Sequence, residues 1–333
     1  MKIIVDVMGG DKAPEETVRG AFLAADECNA GLILVGDRAA IERIAGEVGF
    51  DLSRVEIVHT DFYIEMEDEP LSVVRAKKDS SMSLGLHLLS EGRGDAFVST
   101  GNTGALFAGA TLITRKIKGV ARAGIASVLP FQCPVLLLDS GANLAVNEEN
   151  LLQFAVMGSA YVRRVYGVAS PRVGLLNNGT EACKGTPLQQ AAYVKLSESP
   201  YINFVGNVEA STLPFNVCDV VVTDGFTGNI LLKSVEGCGK LLFGRLKEIF
   251  YASPLTKMGA LTMKKPLSEM KADFDPSEHG GAPLLGISRP VIKAHGSSDA
   301  RAFKSAIRQA IEYGKSGAIY DLADEIRAMQ AEK

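Results

Sequence analysis

The sequence predicts an α/β protein built as a three-layer sandwich, with a mostly parallel sheet covered by helices on both faces. Three observations predict it. Short aliphatic or β-branched runs alternate with segments of helical period, the pattern of strands buried between two helical layers. Glycines gather directly after the strand-like runs and before the helix-like ones. The chain is 333 residues long and 47% hydrophobic, with a mean hydropathy of +0.13, which is enough to fill a large core.

In chain order, the aliphatic runs place strands at residues 3–7, 32–35, 55–58, 96–99, 124–129, 135–138, 172–176, 203–206 and 219–223. Helical periodicity places helices at 14–28, 38–48, 81–91, 103–114, 148–165 and 187–197. The texture then changes. Over 227–250 the residues Leu231, Val235, Cys238, Leu242, Leu246 and Ile249 recur every three or four positions as one helical stripe. Leu232, Leu241, Phe243 and Phe250 widen the apolar surface beyond what one sheet face covers, so a partner subunit is expected there. Gly237, Gly239 and Gly244 weaken this helix by about 1 kcal/mol each unless they serve close packing. A short segment follows, apolar at Leu255, Met258 and Leu261, basic at Lys257, Lys264 and Lys265, and ended by Pro266. No flexible linker divides the chain, so residues 1–333 read as a single unit with two subregions, and 227–272 as a helical dimerisation and tip segment.

Composition removes several function classes. Thirty-five basic against 39 acidic residues leave a formal charge of −4, so no global positive field is available and no nucleic-acid partner is expected. The cysteines (Cys28, Cys133, Cys183, Cys218 and Cys238) form no C-x-x-C pair and read as reduced thiols of a cytoplasmic protein. Only Cys183 is near a candidate turn, and it has no neighbouring histidine, which disfavours a thiol nucleophile. Carboxylates with metal-ligand spacing are not found, the run Glu65-Met66-Glu67-Asp68-Glu69 reading as a solvated loop, so neither metal nor cofactor is expected. Asp6 interrupts the first apolar run too early for an export signal. The uncharged stretches at 96–114 and 123–138 carry hydroxyls, glycines or prolines and fit strands and turns better than a membrane span.

The glycine turns are the informative feature. Met8-Gly9-Gly10-Asp11 follows the first strand. Ser99-Thr100-Gly101-Asn102-Thr103-Gly104 and Thr223-Asp224-Gly225-Phe226-Thr227-Gly228 share one pattern: a hydroxyl residue, any residue, Gly, any residue, Thr, Gly. Related turns are Asp139-Ser140-Gly141-Ala142-Asn143, Asn177-Asn178-Gly179, Glu278-His279-Gly280-Gly281 and His295-Gly296-Ser297-Ser298. In an open α/β sheet such turns lie beyond the carboxyl ends of the strands and are expected to converge on the ligand crevice. Free backbone N–H groups and helix N-termini there favour a phosphate or a developing oxyanion. Against this stands the ordinary use of Gly, Asn, Asp and Ser as turn formers. No G-x-x-x-x-G-K occurs, since Ser234 stands five before Gly239-Lys240, and no G-x-G-x-x-G follows the first strand. His59 and His87 read as structural, while His279 and His295, beside glycines, are candidates to line a site. Lys184 is a candidate point charge for phosphate. Asp224 is placed either to react or to cap the following helix.

Taken together, Val5-Asp6-Val7-Met8-Gly9-Gly10-Asp11, the Ser99 to Ala105 turn, Asn177-Asn178-Gly179 with Glu181 and Lys184-Gly185, the Asp224 to Asn229 turn, the Glu278 to Gly286 segment and Lys293-Ala294-His295-Gly296-Ser297-Ser298 resemble the bacterial phosphate acyltransferase (PlsX) family of phospholipid synthesis. The resemblance runs in order over nearly the whole chain. It implies a fold similar to phosphate acetyltransferase and the isocitrate/isopropylmalate dehydrogenases, and a homodimer joined by long helices. It implies transfer of a long fatty acyl group from acyl-(acyl carrier protein) to inorganic phosphate, giving acyl phosphate for a membrane glycerol-3-phosphate acyltransferase. On this reading phosphate sits among Gly9, Gly10, Asp11, the turn Ser99, Thr100, Gly101, Asn102, Thr103, Gly104, and Asn177, Asn178, Gly179, with Lys184 as counter-charge. Asp224, Gly225, Thr227, Gly228 and Asn229, with His279 or His295 beside Gly280 and Gly281, serve the carbonyl or the leaving sulfur. An acidic carrier would dock on Arg115-Lys116-Ile117-Lys118 with Arg122, or on Lys257, Lys264 and Lys265. The Leu255, Met258, Leu261 face offers peripheral contact with the inner side of the cell membrane. The alternatives are an acyl-CoA donor, a nicotinamide-dependent dehydrogenase on a similar fold, and a non-catalytic regulator that binds the carrier.

Overall fold

The computed structural model of the chain describes residues 1–28, 30–263, 265–267 and 280–331. It runs β1 (Lys2–Asp6), α1 (Glu15–Cys28), β2 (Gly31–Gly36), α2 (Arg38–Val48), β3 (Val55–His59), α3 (Ser81–Ser90), β4 (Ala96–Ser99), α4 (Thr103–Gly109), β5 (Gly124–Leu129), β6 (Val135–Leu138), α5 (Glu148–Val165), β7 (Arg172–Asn177), α6 (Pro187–Ser197), β8 (Asn203–Glu209), β9 (Val220–Val222), α7 (Gly225–Tyr251), α8 (Pro254–Thr262), β10 (Ala282–Leu285), β11 (Val291–Lys293), α9 (Ala300–Ser316) and α10 (Ala318–Ala331). Local chemistry sets several of these boundaries. Asp37 caps α2 by accepting from the Ala39 N–H, and Gly49 closes it in the left-handed region at φ 72°. Asn147 with Asn150 and Thr186 with Gln189 form reciprocal capping boxes at the starts of α5 and α6.

The strands form one sheet in the order β3-β2-β1-β4-β11-β10-β5-β6-β9-β7-β8. Alternation along each strand feeds two cores. Ile3, Val5, Leu32, Leu34 and Val98 join α1, α2, α5, α6, α9 and α10 on one face, while Ile4, Ile33, Val35 and Phe97 join α3 and α4 on the other. In the second half of the sheet, Leu137, Leu176 and Val221 meet Leu231, Leu232 and Val235 at the start of α7. The result is three layers, as the sequence predicts.

Two features of the sheet position the site. The last strand, β11, lies between β4 and β10, parallel to β4, so the end of the chain completes its first half. The sense of the sheet then reverses: β10 is antiparallel to β11 and to β5, and β6 is antiparallel to β5, whereas β6, β9, β7 and β8 are mutually parallel. The carboxyl ends of β1, β4 and β11 therefore form one group, and those of β6, β9 and β7 another.

Helix α7 has 27 residues, about 40 Å at ~1.5 Å per residue, of which only Gly225 and Gly228 are buried. Of the expected stripe, Leu231 and Val235 pack on the sheet, whereas Leu242 and Ile249 are 62% and 60% exposed. In α8, Met258 is exposed; the side chains of Leu255 and Leu261 lie outside the described residues, as do Lys264 and His279. Among the described residues, no helix is long and apolar enough to cross a membrane.

Candidate active site

The first group of turns is assembled around two buried charges. Asp6, at the end of β1, accepts hydrogen bonds from Ser81 Oγ and Ser99 Oγ, both at 2.7 Å, and from the Met8 N–H at 3.1 Å. Burial pushes its carboxyl above the usual range, while the Ser81, Ser99 and backbone donors pull it back. Ser99 Oγ in turn accepts from the Gly101 N–H at 3.0 Å, and Thr100 Oγ1 donates to the Gly9 carbonyl. The two glycine turns thus touch through backbone: a Cβ on Gly9 would lie 2.7 Å from Gly101 Cα, and one on Gly10, at φ 98°, 2.6 Å from Thr100 Oγ1.

Lys293, the last residue of β11, supplies the second charge. It is 8% exposed, and its Nζ donates to the Thr100 carbonyl at 3.0 Å and to the Ala294 carbonyl. Burial lowers its pKa to about 8, opposed by the negative charges of Asp11 and Asp6. The Asp11 N–H binds the Gly296 carbonyl at 2.9 Å, which ties the His295 turn to the Gly9-Gly10 turn. His295 is exposed; its Nδ1 faces the Ser297 N–H at 3.2 Å and Ser297 Oγ at 2.9 Å. Asn102 caps α4 through Oδ1, and its Nδ2 donates to the Met66 and Asp68 carbonyls at 2.8 and 3.0 Å, so this side chain holds the neighbouring loop. Thr103 is exposed and Gly104 half-buried in the first turn of α4. Gly281 donates its N–H to Gln309 Oε1 at 2.7 Å, and a Cβ there would lie 2.7 Å from the Lys293 carbonyl.

The second group is built on Asp139, which is fully buried after β6. Its carboxylate accepts from the backbone N–H groups of Ile125, Gly141, Ala142 and Asn143 and from Asn143 Nδ2. Gly225 and Gly228 pack on this turn, and a Cβ on Gly228 would lie 1.9 Å from the Asp139 carbonyl oxygen. Asp224 caps α7, accepting from the Thr227 N–H and from Thr227 Oγ1, each at 2.8 Å. The repeated sequence pattern therefore starts two helices with different caps, its fourth position (Asn102) in one copy and its second (Asp224) in the other. Asn229 is half-buried beside Gly141.

At the end of β7, Asn177 Nδ2 donates to the Lys184 carbonyl at 3.2 Å, and Gly179 packs on the Lys184 stem. Asn178 is exposed, and Lys184 is 48% exposed with Glu181 at 4.0 Å. Asn207, on the adjacent strand, holds the Glu181 carbonyl through Nδ2, while its Oδ1 is buried without a partner.

The glycine turns thus form two sets of direct contacts, one at the ends of β1, β4 and β11 and one after β6 and β9. The structure brings together Gly9, Gly10, Asp11, Ser99, Thr100, Gly101, Asn102 and the His295 turn, and separately assembles Asp139, Asp224, Gly225, Thr227, Gly228 and Asn229. Sequence reasoning quoted Asp6 and Lys293 within motifs without giving them roles, and it listed Asp139 only as a turn residue. The available signal was a charge at the end of an aliphatic run, as in Val291-Ile292-Lys293. Elsewhere, Asp37, His59 and Asp61 bring ligand-type atoms within 4.8 Å of one another. These serve the start of α2, where His59 Nδ1 accepts from the Arg38 N–H at 3.2 Å.

A family model described as "Fatty acid synthesis protein" matches residues 1–320. The phosphate acyltransferase of Clostridioides difficile (strain 630) is 45% identical over 324 residues, 97% of this chain and 95% of that protein. That of Caldicellulosiruptor saccharolyticus is 46% identical over 330 residues, covering 98% of this chain and 99% of its own. Among solved structures, a phosphotransacetylase from Streptococcus pyogenes aligns with TM-score 0.62 at 16% identity, over 95% of this chain and 94% of that one. A 4-hydroxythreonine-4-phosphate dehydrogenase from Klebsiella pneumoniae aligns with TM-score 0.55 at 13% identity, over 94% and 98%. These two share the α/β architecture with a mostly parallel sheet.

Proposed function

The chain belongs to the phosphate acyltransferase family and is an acyltransferase, and from that premise we propose that it transfers a long fatty acyl group from acyl-(acyl carrier protein) to inorganic phosphate. The observation that carries this reading is the buried Lys293 amine among the Gly9-Gly10 and Ser99 to Gly104 turns. Close-approaching backbone, the N-terminus of α4 and one desolvated cation suit a small, multiply charged anion. Phosphate is itself a nucleophile, so the protein's task is to aim it and stabilise charge. One phosphate oxygen attacks the thioester carbonyl carbon; the carbon–sulfur bond breaks, the acyl phosphate departs, and the thiolate takes up a proton.

In this reading the first group of turns holds phosphate. The Asn177 turn and Lys184 add to its counter-charge, while the Asp224 to Asn229 turn, with His279 or His295, serves the carbonyl or the leaving sulfur. The exposed apolar residues of α7, Leu241, Leu242 and Ile249 among them, are the face that a second copy of the chain would cover in a homodimer. The α8 tip rests on the inner face of the membrane and passes acyl phosphate to a glycerol-3-phosphate acyltransferase. The test is release of free thiol from palmitoyl-(acyl carrier protein), with and without inorganic phosphate, trapping the product with hydroxylamine. Phosphate-dependent release with matching hydroxamate is expected. Release from palmitoyl-CoA alone transfers the assignment to an acyl-CoA donor, and carrier binding without release to a regulator.

A further inference from the structure

A cavity of about 550 Å³ opens at the ends of α3 and α4 remote from the first group of turns. Lys78, His87, Ser90 and Arg115 line it together with Val74 and Leu112. Its volume is in the range of small-molecule sites, and its wall pairs an apolar side with the basic side chains of Lys78 and Arg115. Among the described residues, neither Lys78 nor Arg115 makes an ion pair. Lys77, next in sequence, is by contrast committed to Asp68 at 2.5 Å.

The cavity has a fixed relation to the glycine turns. Helix α3 begins at Ser81, which hydrogen-bonds Asp6, and ends at Ser90 in the cavity wall. Helix α4 begins at Thr103 beside the phosphate turn and continues through a π-helical turn over Ala110–Thr114 to Leu112 and Arg115. Nine residues separate Thr103 from Leu112, about 13 Å at ~1.5 Å per residue. Thr103 and Leu112 are exposed and Phe107 is half-buried. At the far end Arg115 has φ 73° and ψ 159°, a conformation that favours glycine. It is held there by its N–H on the Ala110 carbonyl and by the Ser288 N–H on its own carbonyl, both at 2.9 Å. Strained backbone and π-turns both concentrate where side chains are aimed for function.

We propose that this cavity receives the phosphate of the acyl donor's pantetheine arm, with Lys78 and Arg115 on the phosphate and the Val74 and Leu112 wall against the arm's paired methyl groups. From sulfur to phosphorus the arm is a chain of about thirteen bonds, equivalent to about four residues of extended backbone, ~14 Å at ~3.5 Å each. An extended arm anchored in the cavity thus matches in length the rise of the α4 segment from Leu112 back to Thr103. The inference rests on the acyl-transfer reading for its purpose, while the binding site itself can be tested without turnover. The pantetheine phosphate is shared by carrier-linked and CoA-linked donors, and the kinetic arms separate them.

The experiment compares wild type with Lys78→Ala, Arg115→Ala and Arg115→Lys on palmitoyl-carrier, palmitoyl-CoA and palmitoyl-pantetheine, which lacks the phosphate. For the phosphate-bearing donor in use, KM is expected to rise about tenfold in each alanine variant with kcat unchanged, and to recover in Arg115→Lys. The KM for palmitoyl-pantetheine is expected to stay constant. An equal change for all three donors, or no change for any, overturns the proposal. Calorimetric titration of 4′-phosphopantetheine decides the binding claim on its own: the expected result is a wild-type signal that is lost in Lys78→Ala and absent with pantetheine. If wild type releases no thiol under any condition, the acyl-transfer reading fails, and the titration still supports or refutes the site. Lys78→Ala keeps the test open should Arg115→Ala not fold.

Discussion

Replacing Lys293 by Met isolates the electrostatics of the candidate phosphate site, because Met, an unbranched side chain one atom shorter, keeps most of the length and removes the charge. With its pKa lowered from 10.5 to about 8 by burial, the Lys293 ammonium opposes folding by about 3 kcal/mol at pH 7, at ~1.36 kcal/mol per unit. The sign follows from proton counting. Between pH 8 and 10.5 the unfolded chain holds this proton and the folded protein does not, so the folded state gains stability as pH rises. By pH 10 about 2.5 kcal/mol of that opposition is expected to have gone. In Lys293→Met the Thr100 and Ala294 carbonyls lose their donor, a cost of about 1–3 kcal/mol that does not vary with pH. Urea unfolding of both proteins at pH 7 and pH 10 separates the two effects. The stability difference, wild type minus variant, is expected to increase by about 2.5 kcal/mol over that interval. Tyr161, Tyr313 and Cys218, whose pKa values burial raises, act in the opposite sense but equally in both proteins. A difference that is flat with pH refutes the buried-cation reasoning. Alongside it, the KM for phosphate is expected to rise at least tenfold in Lys293→Met.

Gly10→Ala places a methyl group 2.6 Å from Thr100 Oγ1 at φ 98°, so it is expected to destabilise the protein by at least about 1–3 kcal/mol in thermal denaturation and to abolish phosphate-dependent thiol release. Asp224→Ala removes the α7 cap and is expected to cost about 1 kcal/mol; a kcat near wild type identifies Asp224 as a cap, whereas a fall of a hundredfold or more assigns it a chemical role. Lys184→Ala alters a half-exposed side chain, so stability is expected to change by less than about 0.5 kcal/mol while thiol release slows; unchanged turnover and unchanged phosphate affinity remove Lys184 from the site. Changing Met258 and Leu261 to Glu is expected to reduce flotation with anionic liposomes, and equal flotation dismisses the membrane tip.

The fold was legible where aliphatic runs and helical stripes were uninterrupted. Boundaries such as 96–99, 124–129, 135–138 and 148–165 agree with the structure to the residue, because aliphatic runs and helical stripes are local signals. Strands β10 and β11 are no shorter than β4 and β9, but Pro283 within β10 argues against a strand and Pro290 directly precedes β11. Helix α9 did carry a signal, with Phe303, Ala306, Ile307, Ala310 and Ile311 buried at helical spacing behind the Asp299 cap. The strand-to-helix position of the glycine turns was equally legible. Their division into two groups was not, since the reversal at β10 and β5 is a matter of strand pairing and leaves no mark on any one segment. Lys293 carried a local mark, a charge closing an aliphatic run, but its burial comes from its neighbours in the sheet, β4 and β10.

The place of β11 bears on how the protein is made. Synthesis proceeds from the N-terminus, yet β4 has β11 as its neighbour, and Lys293 and the Gly296 carbonyl reach the first turns from the final 41 residues of the chain. A nascent chain that has already built β1 through β9 still presents an unpaired edge on β4 and another on β5. The amino-terminal half is therefore a borrower: its glycine turns acquire the Lys293 amine only after β11 has been made. A ribosome paused near residue 280 is expected to hold a chain with much of its secondary structure, no competent centre, and two exposed edges that invite aggregation.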